Sequence, residues 1–201
     1  MSYWQNFYKK YSVAKTPTDF AKFTLKSIPK YIKKPLNEIS LMDIACGNAR
    51  DTVFFRNAGI KASGIDLFSN SVDVPYVMKK NATELKEKND VYYLRFFLHA
   101  IKEEEAERVL ENLSKIMGKN SLIFIETRSS KGFSQEQKIE THFASPIGEK
   151  HYRMLYSGEY LKEKYGKKFN ILFSEERQGL AVFKDEDPFV VRLIMKRKIA
   201  T

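Results

Sequence analysis

The chain has 201 residues, 43 % of them hydrophobic and 30 % charged, with a formal net charge of +10. That length and mix exclude a disordered or fibrous polymer and fit one globular domain with a core of its own. No apolar run is long enough to cross a bilayer, the start "MSYWQNFYKK" has no apolar leader segment, and the single cysteine, Cys46, can form neither an internal disulfide nor a cysteine-based metal site, so a reducing cytoplasm is the expected location.

Residues 1–17 are polar and rich in aromatics, with Tyr3, Trp4, Phe7, Tyr8 and Tyr11. A helix is predicted over 16–32, opened by Pro17–Thr18, with Phe20, Phe23 and Leu25 mostly on one side. After the turn "KKPLNE", the segment "ISLMDIA" (39–45) reads as a buried strand. Ala49 to Asn57 reads as a helix, with Gly59 in the left-handed position that ends it, and "IKASGI" (60–65) as a second strand. A third strand is predicted within "VPYVMKKNA" and a fourth over 89–98. Residues 102–117 form the clearest helix, because Val109, Leu110, Leu113, Ile116 and Met117 recur at helical spacing and Gly118 follows. "SLIFIETR" (121–128) is a fifth strand. Residues 129–156 read as irregular, Ser157 caps a short helix, and β-rich segments close the chain. Strands alternating with helices predict an α/β fold, with a mostly parallel Rossmann-like sheet, helices on both faces and an antiparallel C-terminal edge hairpin. No repeat or linker interrupts it, so 1–201 reads as one domain.

The stretch "LMDIACGNARDTVFFRNAGIKASGID" (41–66) carries the clearest chemistry. It runs strand, tight turn, helix, strand, and ligands in such sheets sit outside the carboxyl ends of the strands. Gly47 lets a ligand approach the backbone closely. Asp66 ends the second strand 19 residues later, where an acid can accept hydrogen bonds from two ribose hydroxyls. A dinucleotide fingerprint is absent, since Ala45 and Ala49 stand at the flanking glycine positions. Asp43 ends the first strand, and a carboxylate there repels a pyrophosphate but suits a ligand with a cationic group. Cys46 reads as a small buried filler. Arg50 and Asp51 read equally as a helix-start pair or as site residues.

"DIACGNARD…GIKASGID" resembles the cofactor motif of class I S-adenosylmethionine-dependent methyltransferases, and in its variant form the small methyltransferases related to tellurite-resistance and thiopurine methyltransferases. "DVYYLRFFLHAI" (90–101) resembles the fourth-strand motif of that class. "IETRS" (125–129) followed by "HYR" (151–153) is similar to bacterial methyltransferases encoded with capsule and surface-polysaccharide genes. The resemblance implies S-adenosylmethionine as cofactor. It places the backbone of Ala45, Cys46 and Gly47 against the methionine part, Asp43 on the amine side, Asp66 on the ribose and Leu67 beside the adenine. Asn81 and Ala82 fall where the family has an adenine contact that is often aspartate, so Asn81 is a departure. Arg95, Phe96 and His99 would line the pocket between cofactor and substrate.

Methyl transfer to a neutral hydroxyl needs a general base, for which His99 is the candidate, whereas an anionic oxygen needs none. Arg128, His151, Tyr152 and Arg153 form a donor cluster suited to a small anionic substrate. Trp4 and Tyr8 belong to an aromatic N-terminal segment, with 1–35 read as a helical lid and 129–156 as a substrate-side insert. The preferred reading is an O-methyltransferase of a small polar, anionic acceptor, such as a phosphorylated or phosphoramidate-type surface-polysaccharide precursor. The alternatives are an RNA or tRNA methyltransferase, a thiol or metalloid methyltransferase, and a non-catalytic S-adenosylmethionine-binding protein. The lysines are scattered, with small clusters only at 30–34 and 196–198, and no RNA-recognition signature is present, which disfavours nucleic acid as partner.

Overall fold

The computed structural model describes residues 3–10, 15–68, 74–133, 138–144, 148 and 150–198; for residues 5, 8–10 and 144 it describes the backbone alone. A seven-stranded sheet forms the centre. Its strands are β1 (Ser40–Ile44), β2 (Lys61–Asp66), β3 (Val77–Lys79), β4 (Val91–Arg95), β5 (Leu122–Arg128), β8 (Phe169–Arg177) and β9 (Val190–Arg197), in the spatial order β3-β2-β1-β4-β5-β9-β8. The first five are mutually parallel. β9 runs antiparallel between β5 and β8, so the last two strands close the sheet as the expected antiparallel edge hairpin. The helices are α1 (Tyr3–Lys10), α2 (Asp19–Tyr31), α3 (Arg50–Asn57), α4 (Glu103–Ile116) and α5 (Gly158–Gly166).

Strand alternation sorts the core into two layers. In β4, Val91 and Tyr93 face α2 and α3, where Phe20, Ile28 and Phe55 pack against Leu41, Leu122 and Phe124. Tyr92 and Leu94 face the other way, onto Val109, Leu110 and Leu113 of α4 and Leu161 of α5. Local signals open the helices where the sequence suggests. The Thr18 hydroxyl accepts the Ala21 N–H, the Ser157 hydroxyl accepts the Tyr160 N–H, and three glutamates in the first turn of α4 complement its dipole. Gly59, at φ +91°, follows α3 in the left-handed position expected of it.

Three expectations are corrected. Residues 129–156 are not irregular throughout: β6 (Lys138–Ala144) and β7 (Lys150–Tyr156) pair as a separate antiparallel hairpin. β6 alternates its few apolar residues with charged and histidine side chains and is half exposed, so it carries little strand signal. Only the end of β7, at Met154, Leu155 and Tyr156, enters the core. The fourth strand stops at Arg95, because Phe96 takes a left-handed φ of +54° and the chain turns into a single 3-10 turn at Leu98–Ala100. Of the three β-rich closing segments that the sequence suggests, "KFNILFSEE", "GLAVF" and "PFVVRLIMKRK", the middle one (179–183) is a loop with an isolated bridge between Phe183 and Glu186. The hairpin is clamped to the helical layer by Glu103, whose carboxylate accepts hydrogen bonds from Lys138 of β6 and from Tyr160 and Lys164 of α5.

Candidate functional site

The parallel strands deliver Ile44, Asp66, Arg95 and Arg128 to one edge of the sheet. The turn after β1 there alternates left-handed residues, with φ +59° at Ala45, +57° at Gly47 and +60° at Ala49. Glycine adopts that conformation freely, while an L side chain costs roughly 1–2 kcal/mol. The turn therefore has the geometry of a glycine-rich cradle although two of its three positions are alanine. β2 locks it in place: the Cys46 N–H donates to the Ile65 carbonyl, and a Cβ added at Gly64 would lie 2.7 Å from the Cys46 sulfur. Ala45 is half-buried, whereas the Ala49 methyl packs with Cys46 and Val77. Ala45→Gly is thus expected to raise the unfolding free energy by about 0.5–1 kcal/mol, the relieved strain exceeding the added unfolded-state entropy. Urea denaturation checks this, and a loss of stability would contradict the strained-turn account.

Buried carboxylates ring this turn. One Asp66 oxygen accepts the Gly47 N–H at 3.0 Å and the other accepts the Phe68 N–H at 2.7 Å. Asp43, also buried, accepts from the Thr52 hydroxyl at 2.6 Å. Burial, with the nearby Asp51 and Asp66 charges adding, pushes the Asp43 carboxyl up to about 8. The Cys46 thiol is pushed up by its burial and by Asp43 and Asp66, the opposite of what a nucleophile needs. Asp51 is a latch: its carboxylate accepts from the Thr18 N–H at 2.9 Å, the Thr18 hydroxyl at 2.8 Å and the Tyr93 hydroxyl at 2.8 Å, tying the start of α2 to α3 and β4. Leu67, 41 % exposed, presents an apolar side chain beside Asp66. The Asn81 side-chain oxygen is occupied, since it accepts from the Thr83 N–H and hydroxyl and caps the short turn that contains the buried Ala82.

A second group lies at the ends of β4, β5 and β7. Arg95 donates to Glu126 at 3.1 Å, and its guanidinium stands 4.2 Å from the Phe96 ring centroid. His99 meets Phe96 edge to face at 4.9 Å and is buried. Its Nδ1 accepts the main-chain N–H of Arg128 at 3.0 Å and lies 3.1 Å from the Thr127 hydroxyl. Arg128 also donates from its side chain to Glu186 at 2.7 Å, while its buried Nε has no hydrogen-bond partner among the described residues. Arg153 is buried and pairs with no carboxylate among the described residues; it donates to the Tyr152 carbonyl at 3.3 Å, and its guanidinium lies 5.5 Å from the Trp4 ring. Burial and the neighbouring Arg128 push it down to about 10. His151 stacks on Tyr3 at 4.7 Å, and its buried Nδ1 has no hydrogen-bond partner among the described residues.

Thus Arg128, His151, Arg153 and Trp4 do converge, with Tyr152 next to them. Its ring instead meets His142 edge to face. The side chain of Tyr8 lies outside the described residues. Of the segment 1–35, α1 contributes Trp4 and Tyr3 here, whereas α2 packs on the sheet. Sequence reasoning passed over Glu126 and Thr127. An acid inside the apolar run of β5 was the available signal for Glu126; the Thr127 contact depends on a turn 28 residues away and left none.

A family model described as a methyltransferase domain matches residues 16–167. The chain belongs to that family. No curated protein sequence matches it. Among solved structures, this methyltransferase domain resembles an S-adenosylmethionine-dependent methyltransferase from Methanosarcina mazei, at TM-score 0.71 and 13 % identity over 86 % of this chain and 97 % of that one. It also resembles the Burkholderia thailandensis 1,6-didemethyltoxoflavin-N1-methyltransferase with bound substrate and S-adenosylhomocysteine, at TM-score 0.67 and 13 % identity over 90 % and 79 % of the two chains. A third is the magnesium protoporphyrin IX methyltransferase of Synechocystis with bound S-adenosylmethionine, at TM-score 0.59 and 13 % identity over 90 % and 80 %. At such identities the shared property is the fold, so chemistry must come from this chain's own residues.

Proposed function

We propose that this chain is an S-adenosylmethionine-dependent methyltransferase acting on an oxygen of a small, polar, anionic acceptor. The observation that carries the reading is the acid-lined cradle. Asp43 and Asp66 are buried beside a left-handed turn whose backbone a ligand can approach, and burial and neighbouring acids, against the opposing pull of Arg95, set the charge of Asp43 there. Such a set of carboxylate acceptors fits a cofactor with a ribose diol and a positive sulfur and disfavours a pyrophosphate. When bound, S-adenosylmethionine supplies a methyl group on a sulfonium, open to in-line displacement.

In this reading Asp66 accepts the ribose hydroxyls, and the backbone of Ala45, Cys46 and Gly47, with Asp43, borders the methionine end. Leu67, Ala82 and the Asn81 amide hydrogens face the adenine side, the Asn81 oxygen being taken by Thr83. Arg95, Phe96 and His99 separate this half from an acceptor half made by Arg128, His151, Tyr152 and Arg153, with Trp4 and α1 as its cover and the 129–156 insert as its wall. The resemblance to capsule-cluster and tellurite- or thiopurine-type methyltransferases makes a phosphorylated or phosphoramidate-type surface-polysaccharide precursor the named candidate for the acceptor. Calorimetry tests the cofactor half: S-adenosylhomocysteine is expected to bind with a Kd of about 1–50 μM, or roughly −6 to −8 kcal/mol. Absence of binding by either S-adenosylhomocysteine or S-adenosylmethionine overturns the assignment.

A further inference from the structure

His99 stands between the two halves, and the direction of one hydrogen bond decides its chemistry. The Arg128 main-chain N–H can only donate, so the His99 Nδ1 that receives it bears a lone pair, and the proton of the neutral ring is on Nε2. To take a proton from a hydroxyl, the ring would have to use Nδ1 and give up the Arg128 bond. The imidazolium so formed would be buried among Arg153, Arg128 and Arg95; burial first, and these charges next, hold its ionisation well below the ordinary histidine range. Among the described residues no neighbour replaces it as a base. His151 faces Arg153 and Arg128 and, through burial and their charge, is pushed down to about 4. Glu126 is bound by Arg95 and Arg192, and Glu186 by Arg128. What the pocket holds in surplus is donors: among the described residues Arg128 Nε is buried without a partner, and Arg153 meets a single main-chain carbonyl.

We infer that the acceptor enters already ionised, as a carboxylate or phosphoryl oxyanion held by Arg128 and Arg153, with His99 fixed as a hydrogen-bond donor by the Arg128 main chain and Thr127. The inference rests on the methyltransferase reading. The step then balances without proton transfer. An oxyanion lone pair forms the new O–C bond, the C–S bond breaks with its electron pair remaining on sulfur, and a cation and an anion become two neutral centres. Arg128 and Thr127 act on His99 as positioning residues.

Two measurements test this. Trp4 is the only tryptophan of the chain and lies over Arg153 and 6.4 Å from the His151 ring, so its emission reports on this pocket. In protein saturated with S-adenosylhomocysteine, inorganic phosphate or benzoate is expected to change that emission saturably, and the neutral benzamide is not. Arg128→Gln, which keeps the main-chain N–H to His99, is expected to weaken the effective anion at least tenfold. A response to phosphate alone marks a phosphoryl acceptor and one to benzoate alone a carboxylate. No saturable response to either anion, or an equal response to benzamide, overturns the inference. Separately, nitrogen NMR of histidine-labelled protein, assigned with His99→Gln, is expected to show the Nε2–H form unchanged from pH 8 to 5.5. An Nδ1–H form, or a titration near 6.5, overturns it. Calorimetry with S-adenosylhomocysteine is run on the same samples: failed binding rejects the methyltransferase reading, whereas normal binding with a titrating His99 rejects only the present inference.

Discussion

Glu126→Ala is expected to lower the unfolding free energy by about 3–5 kcal/mol, the cost of breaking a buried ion pair from one side. The Glu126 carboxylate is 1 % exposed and accepts from Arg192 at 2.8 Å and Arg95 at 3.1 Å. Arg192 is itself buried, donating its other arm to the Leu180 carbonyl and lying over the Phe20 and Phe23 rings. Removing the acid leaves that guanidinium enclosed by aromatic carbon with no countercharge. In a chain of this size the loss corresponds to a Tm decrease on the order of 10 °C. The double variant Glu126→Leu/Arg192→Leu is expected to recover much of it, because an apolar pair of similar volume avoids desolvating either charge. A Tm within 2 °C of wild type in the single variant, or no recovery in the double, contradicts the account.

The middle of the sheet was legible because β1, β4, β5 and β9 are mostly apolar runs buried on both faces, and the helices between the parallel strands carry caps and periodic faces. Thr18, Ser157 and Gly59 mark helix ends through bonds within three residues of themselves, and those boundaries follow from sequence. The β6–β7 hairpin was not legible. Its strands alternate charged, histidine and aromatic side chains because they pack partly on the core and partly against α1, a partner whose position the local pattern does not encode. Phe96 is a similar case, since nothing about "LRFFLH" announces a left-handed phenylalanine.

The residues proposed for the cofactor side form a more compact sequence pattern than those proposed for the acceptor side, for a related reason. Asp43, Gly47 and Asp66 are placed by one strand–turn–helix–strand unit, so their spacing carries their geometry. The residues proposed for the acceptor come from α1, β5 and β7, and the sequence announces their types without their directions. Arg128, His151 and Arg153 do gather, but the proton placement on His99 is set by a main-chain N–H from another strand. Asp51 shows the converse: its three bonds span 33 and 42 residues, so a residue that reads as a helix-start acid is in fact a tertiary latch.

Asp66→Ala is expected to weaken S-adenosylhomocysteine binding at least 100-fold. A buried carboxylate accepting hydrogen bonds from ribose hydroxyls is worth about 1.5–3 kcal/mol per bond, and two such bonds account for that factor. The same change releases the Gly47 N–H that Asp66 now holds, so the cradle loses its shape as well as its acceptor. Asp66→Asn, which keeps one acceptor oxygen, is expected to fall in between, and calorimetry on wild type and both variants gives the order. Asp43 adds a proton to this equilibrium. With burial and its acid neighbours holding it at about 8, it is mainly protonated at pH 7 in the free protein. The native chain thus keeps a proton that the unfolded chain releases above about 3.8, and Asp43 makes the free protein less stable as pH rises from there to about 8. A cationic sulfonium favours the ionised form, so binding S-adenosylmethionine expels the proton and affinity climbs with pH up to about 8, by no more than about tenfold per unit. S-adenosylhomocysteine has a neutral sulfur and is expected to show a shallower slope, and Asp43→Asn should flatten both. Equal slopes for the two ligands would place Asp43 away from the sulfur, and a slope surviving in Asp43→Asn would assign the proton to another group.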